Sequence, residues 1–150
     1  MIDDKFLNEY EDILSQTERP SRYIGDEFGS FNKDFNKVDG KFLFCFPDKY
    51  EIGISNFGHK ILYNSMNKKE NLLCDRLYAP DKDFIELLEK NNKSIYALES
   101  KRKPLEFDMV GFSLQYEMCY TTILKLLELS KIPVFSSKRD DSHPIIVAGG

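Results

Sequence analysis

Apolar positions along this chain change period repeatedly, and the changes mark its elements. Phe6, Leu7, Tyr10, Ile13 and Leu14 recur at helical spacing, the stripe of an amphipathic helix that must end before Pro20. Residues 18–40 mix Gly, Asn, Asp and aromatic side chains without a period. That predicts an irregular but ordered connection, since a flexible linker would not carry so many rings. From Lys41 short apolar runs alternate with helical stripes. KFLFCF at 41–46 reads as a buried strand, followed by a polar, glycine-punctuated loop and a helix over about His59 to Asn67. LLCDRLYA at 72–79 is a second strand. A helix from about Asp83 to Asn91 has Asp81 as its N-cap and Phe84, Ile85, Leu87 and Leu88 as its buried face. DMVGFSL at 108–114, a helix from about Cys119 to Ser130 carrying Ile123, Leu124, Leu126, Leu127 and Leu129, and the closing PIIVAGG complete the alternation.

Strands that alternate with helices imply right-handed crossovers and a parallel sheet. Strands starting near 41, 72, 109 and 145 predict an α/β, flavodoxin-like sheet in the order 2-1-3-4. Its buried residues should include Phe42, Phe44, Val110, Phe112, Ile146 and Ala148, because strands covered on both faces read as nearly continuous apolar runs. The expected organisation is a helix and irregular extension over residues 1–40, with the helix packed outside the sheet, and the α/β domain over 41–150. A flavodoxin-like sheet calls for a fifth strand and a closing helix after Gly150, so the chain reads as the front part of a longer protein. An uncovered fourth strand predicts that the isolated chain self-associates, or that residues 1–40 fill the gap.

Composition narrows the classes. A chain of 150 residues with 41% hydrophobic and 31% charged side chains fits one globular domain with a real core. A formal net charge of -4 argues against a nucleic-acid surface, which needs clustered Lys and Arg. Lys101-Arg102-Lys103 is the one concentrated basic run. It reads as a solvated loop, with contact to an anionic partner or a neighbouring domain as the alternative. No apolar run approaches the ~20 residues a bilayer span needs. The acidic N-terminus MIDDKFLNEYEDIL has no signal-peptide pattern, so the expected place is the cytoplasm, away from membranes. Cys45, Cys74 and Cys119 are odd in number and far apart, and read as buried thiols.

In an open α/β sheet, ligands bind beyond the carboxyl ends of the strands where the strand order reverses. The segments at those ends are PDKYEIGISNFG, SLQYEMCY and AGG. Their candidate ligand contacts are Asp48, Tyr50, Gly53, Ser55, Asn56, Gly58, Ser113, Leu114, Gln115, Tyr116, Glu117, Gly149 and Gly150. The glycines would let backbone approach a bulky ligand, and helix starts after Asn56 and after Gln115 would direct amides at it. The plainer reading is that such loops need glycine and polar caps merely to turn. Glu117 reads first as a first-turn carboxylate favourable to a helix dipole. His59 reads as solvated or capping, because no second His, Cys or carboxylate has ligand spacing with it. His143 reads as a loop residue. Neither catalytic nor metal-binding residues are expected. The chain carries no G-x-G-x-x-G or G-K-[ST] phosphate loop, which places a flavin or nucleotide reading last.

Taken together, the segments from Pro20 to Asn67, RLYAPDKDF, ALESKRKPLEFDMVGFSLQYEMCYTTILKLLELSKIPVF and HPIIVAGG resemble the N-terminal region of an uncharacterised radical S-adenosylmethionine family with a cobalamin-binding-like front domain. The resemblance implies a downstream domain of the same polypeptide as partner, holding S-adenosylmethionine and a [4Fe-4S] cluster on a C-x-x-x-C-x-x-C loop. That loop is absent from these residues, so this chain alone is not expected to run radical chemistry. Asp48, Tyr50 and Gly53 fall on the D-x-H-x-x-G spacing of cobalamin-binding domains, while Ser113-Leu114 and Gly149-Gly150 resemble their other binding segments. In histidine-bearing members the imidazole replaces the cofactor's own base on cobalt and the aspartate orients it. The serine and glycines line the slot for the displaced nucleotide tail. Tyr50 stands where the imidazole would be, and a phenol with a pKa near ~10 is a poor cobalt ligand. The resemblance thus implies either cobalamin bound without a protein ligand, or a scaffold that has lost its cofactor and serves interdomain or RNA–protein contacts. A second alignment, through Ser55-Asn56-Phe57-Gly58-His59, stays open beside the first.

Overall fold

The computed structural model describes residues 4–150. Strands β1 (Gly40–Lys49), β2 (Leu72–Ala79), β3 (Met109–Ser113) and β4 (Ile145–Gly149) form one sheet in the order β2-β1-β3-β4. Every pairing is parallel, as the sequence predicted. The helices are α1 (Asp4–Gln16), α2 (Tyr50–Ser55), α3 (Phe57–Asn67), α4 (Lys82–Lys90) and α5 (Cys119–Leu129). Right-handed crossovers put the helices after β1 on one face of the sheet and those after β2 and β3 on the other.

Side chains of β1 divide between the two faces with period two. Leu43 and Cys45 join the main core with Leu73, Leu77, Val110 and Phe112, under Phe84 and Leu88 of α4 and Leu126 and Leu127 of α5. On the other face Phe44 packs with Tyr63 of α3 and Cys74, and Phe46 packs with Tyr78 and Leu98. The register of β1 against β2 shifts between Phe46 and Lys49, a stretch that contains Pro47, which has no N–H to give a ladder. All three cysteines are buried free thiols, as expected.

Four expectations need correction. The stretch after Phe46 is not a loop: β1 runs on to Lys49 and α2 starts at Tyr50. Asp81 stands at the N-cap of α4 but makes no cap bond, because its carboxylate is taken by Arg22. Phe44, Val110 and Phe112 are buried, whereas Phe42 and Ile146 are half-buried and Ala148 is exposed. For Ile146 and Ala148 the cause is that β4, among the described residues, pairs on one side only, which also leaves Ile145 62% and Val147 40% exposed. The basic run is not simply solvated either. Lys103 pairs with Glu9 at 2.9 Å, Arg102 with Glu106 at 3.2 Å, and the Lys101 ammonium donates to the carbonyl of Ile24 at 2.7 Å.

Residues 18–40 are ordered by side-chain anchors rather than by regular structure. The ring of Tyr23 stacks on Phe84 with centroids 3.9 Å apart. The Phe31 amide donates to the Tyr63 hydroxyl at 2.8 Å, and Phe35 meets Phe107 edge-on at 5.2 Å. These contacts keep the extension beside α3, α4 and the turn before β3, so it does not fill the gap at β4. The outer edge of β2 is covered instead: Leu98 donates its amide to the Arg76 carbonyl at 2.8 Å, and Lys33 caps the Leu72 carbonyl at 2.6 Å. Helix α1 lies outside the sheet, with Phe6 and Tyr10 each 4.7 Å, centroid to centroid, from the ring of Tyr96. No helix among the described residues is long and apolar enough to cross a membrane.

Candidate functional site

The carboxyl ends of β1 and β3 lie side by side, and the first link between them is a side-chain bond. Tyr116, in the turn after β3, donates its hydroxyl to Oδ2 of Asp48 near the end of β1 at 3.0 Å. The carboxylate at its hydroxyl raises the Tyr116 phenol above its ordinary range, so Asp48 holds a neutral phenol beside it. Oδ1 of the same aspartate accepts the Lys49 amide at 2.7 Å. Next along the edge, Gln115 donates its side-chain amide to the Ser113 hydroxyl, and Leu114 donates its backbone amide to the carbonyl of Gly149 at 2.8 Å. A β-carbon at Gly150 would collide with the Leu114 carbonyl, so glycine is required there for close backbone approach. At Gly149 a β-carbon would meet no heavy atom within 4 Å, so that strand end is open. Asp48, Ser113, Leu114, Gln115, Tyr116, Gly149 and Gly150 are therefore brought together. Exposed apolar side chains follow the same strand ends: Ile52 and Phe57 in α2 and α3 after β1, and Met118 and Tyr120 after β3.

The rest of the candidate set is turned away or occupied. Tyr50 faces β2: its ring meets Tyr78 edge-on at 5.5 Å and its hydroxyl donates to Oε1 of Glu27 at 2.6 Å. Burial, followed by the Glu27 carboxylate, raises its pKa, so the phenol stays protonated. Gly53 is buried against the Tyr78 ring, where any β-carbon would clash; its glycine serves helix packing, not a turn. The Ser55 hydroxyl is spent on the Glu51 carbonyl of its own helix at 2.7 Å. Asn56 caps α3 by accepting the His59 amide at 2.9 Å, and Gly58 lies exposed in the first turn of that helix. Glu117 is exposed and precedes α5, whose first residue is Cys119, so it is not in the first turn as expected.

His59 differs most from its expected solvated role. It is 3% exposed, wedged edge-on against Phe44 at 4.3 Å and close to Phe46 and Tyr78. Burial, aided by the nearby Arg76 guanidinium, pushes its pKa down to about 4, so the ring is neutral. Its Nε2 is buried with no hydrogen-bond partner. No group of three or more His, Cys, Asp and Glu side chains among the described residues could hold a metal ion.

Sequence reasoning missed a buried charged network on β2. Asp75, 1% exposed, accepts the amides of Arg76, Glu99 and Ser100 at 2.7–2.9 Å. Arg76 donates Nε to Glu99 at 2.9 Å and its Nη2 to both Glu99 and Glu27, with its guanidinium 4.5 Å over the Tyr63 ring. Burial and then the Asp75 charge raise the Glu99 carboxyl well above the usual range, with Arg76 opposing. The signal was present: a charged pair, Asp75-Arg76, in the middle of an otherwise apolar strand has to be paired. A small cavity of about 20 Å³ lies at the carboxyl end of β2 among Arg22, Tyr23, Tyr50, Tyr78, Phe84 and Tyr96. That is room for a water molecule, not for a cofactor.

A parallel 2-1-3-4 sheet with its polar groups gathered where β1 and β3 part defines a flavodoxin-like α/β domain. Residues 58–150 match the family model for the N-terminal region of radical S-adenosylmethionine proteins, and the chain belongs to that family. No curated protein and no solved structure matches the chain.

Proposed function

We propose that this chain is the ligand-seating front domain of a radical S-adenosylmethionine enzyme, and that it takes a corrinoid at the β1/β3 crevice without a protein nitrogen on cobalt. The observation that carries this is the Asp48–Tyr116 bond at the switch point, flanked by an open Gly149 and rimmed by exposed apolar side chains. Such a rim suits a large ligand with apolar faces, which is normally held by extensive burial. Ser113, Gly149 and Gly150 would line the slot for its tail, and Asp48 with Tyr116 would meet its polar rim. A bound corrinoid supplies cobalt-centred group transfer. The chain's own residues would only bind and orient it, because Tyr50 carries a phenol that is committed to Glu27 and the imidazole of His59 is buried under α3, away from the crevice. S-adenosylmethionine and the [4Fe-4S] cluster would belong to a downstream domain of the same polypeptide, packed along the uncovered edge of β4. The family match supports that partner.

The second reading, a scaffold that has lost its cofactor and serves interdomain or RNA–protein contacts, is favoured by the commitment of Tyr50 to Glu27. Titration with hydroxocobalamin, followed by its visible spectrum, separates the two. Weak saturable binding without histidine-type coordination is the expected result. No binding would favour the scaffold, and a histidine-coordinated, base-off species would overturn the proposed mode.

A further inference from the structure

Between its anchors at Tyr23 and Phe31, the extension crosses the carboxyl end of β2 and the start of α2 with no strand or helix of its own. Gly25, Asp26 and Gly29 all have positive φ there, so the backbone turns through the left-handed region at two places, 25–26 and 29. Phe28 at its tip is fully exposed, an aromatic ring that finds no packing in this position. Two polar attachments hold the segment down. One is the Lys101 ammonium on the Ile24 carbonyl at 2.7 Å. The other is Glu27, which accepts from Tyr50 through one oxygen and from Arg76 through the other. Glu27 thereby ties together the segment, the first residue of α2 and the buried network on β2. A second tie reaches α2 from just before the segment: Arg22 bridges Glu51 and Asp81.

We propose that residues 24–31 are a strap that locks α2 against β2, that Glu27 is its latch, and that releasing the latch frees the 48–53 stretch to receive a large ligand. Three features favour a strap over a fixed part of the core. Its backbone is irregular, the Phe28 ring at its middle is in water, and its hold on α2 passes through a single half-buried carboxylate. Local opening of this kind is expected where few apolar contacts and exposed backbone meet. Tyr50 then has a role that explains a tyrosine at the position where the spacing calls for histidine: its hydroxyl closes the strap.

The ligand half of this inference rests on the corrinoid reading, whereas the lock itself does not. Hydrogen exchange followed by mass spectrometry should be compared for the wild-type chain, Glu27→Ala and Tyr50→Phe, alongside hydroxocobalamin titration of all three. Both variants should exchange amides 24–31 and 50–55 at least about tenfold faster, with β1 and β3 unchanged, and should bind hydroxocobalamin several-fold more tightly. Unchanged exchange at 50–55, or equal loosening of the whole sheet, would overturn the lock. Local loosening with hydroxocobalamin bound no more tightly would overturn the gating. Local loosening in chains none of which binds hydroxocobalamin would support the lock and remove the corrinoid reading alone.

Discussion

Gly53 lies so close to the ring of Tyr78 that a β-carbon at this position would stand well inside contact distance of two ring carbons. Tyr78 cannot swing aside, because Tyr50, His59, Phe46 and Leu98 surround it. Two effects of Gly53→Ala therefore oppose each other. Helix propensity favours alanine by about 1 kcal/mol. Overpacking costs about 1–3 kcal/mol. Packing should win, so urea unfolding of the variant should show net destabilisation with an unchanged m-value. A stabilised variant would mean that α2 moves away from β2 without cost.

His59 gives stability an acid dependence whose sign is fixed by burial. Its folded pKa of about 4 lies below the unfolded value of 6.5, so the unfolded chain binds the extra proton between those limits. Its contribution is complete above pH 6.5, falls as the pH drops toward 4, and amounts to on the order of 3 kcal/mol across the window. His59→Gln should show a shallower loss than wild type in that range by thermal melting. Parallel curves would place the imidazole in water.

Arg76 pairs with both the buried Glu99 and the half-buried Glu27. Arg76→Met should cost about 3–5 kcal/mol at pH 7, because it strands a buried carboxylate. Part of this loss should be recovered on lowering the pH from 7 to 5, because burial and the Asp75 charge, once Arg76 no longer opposes them, favour the protonated Glu99 carboxyl. Melting at the two pH values tests this; an equal loss at both would deny the charge its part.

The two edges of the sheet are treated differently. The outer edge of β2 is closed by Leu98, Glu99 and Lys33, whereas Ile145 and Val147 on β4 remain exposed. An open apolar edge pairs with other strands. The isolated chain should therefore show concentration-dependent association in sedimentation velocity, and Val147→Lys should suppress it. A wild-type chain that stays monomeric throughout would show the edge to be inert.

Much of the fold was legible in local pattern. The four strands, their order, the helices on residues 57–67, 82–90 and 119–129 and the buried thiols followed from period and from the handedness of crossovers, which depend only on near neighbours in the chain. The limits appear in particular residues. Asp81 has the type and place of an N-cap, yet a guanidinium 59 residues away offered its carboxylate a stronger bond. Ala148 sits in an apolar run like the central strands, yet its strand pairs only with β3 among the described residues and leaves it exposed.

For the candidate site, the sequence by itself determined which loops meet at the switch point, because strand order decides that. Only the tertiary structure decided which side chains face it. Asp48 and Tyr116 meet across 68 residues, whereas Tyr50, two residues from Asp48, turns to the opposite side and binds Glu27. The physical reason is that β1 passes directly into α2. The change of period at Tyr50 reverses the side to which its hydroxyl points, and no spacing rule written for a loop carries that turn.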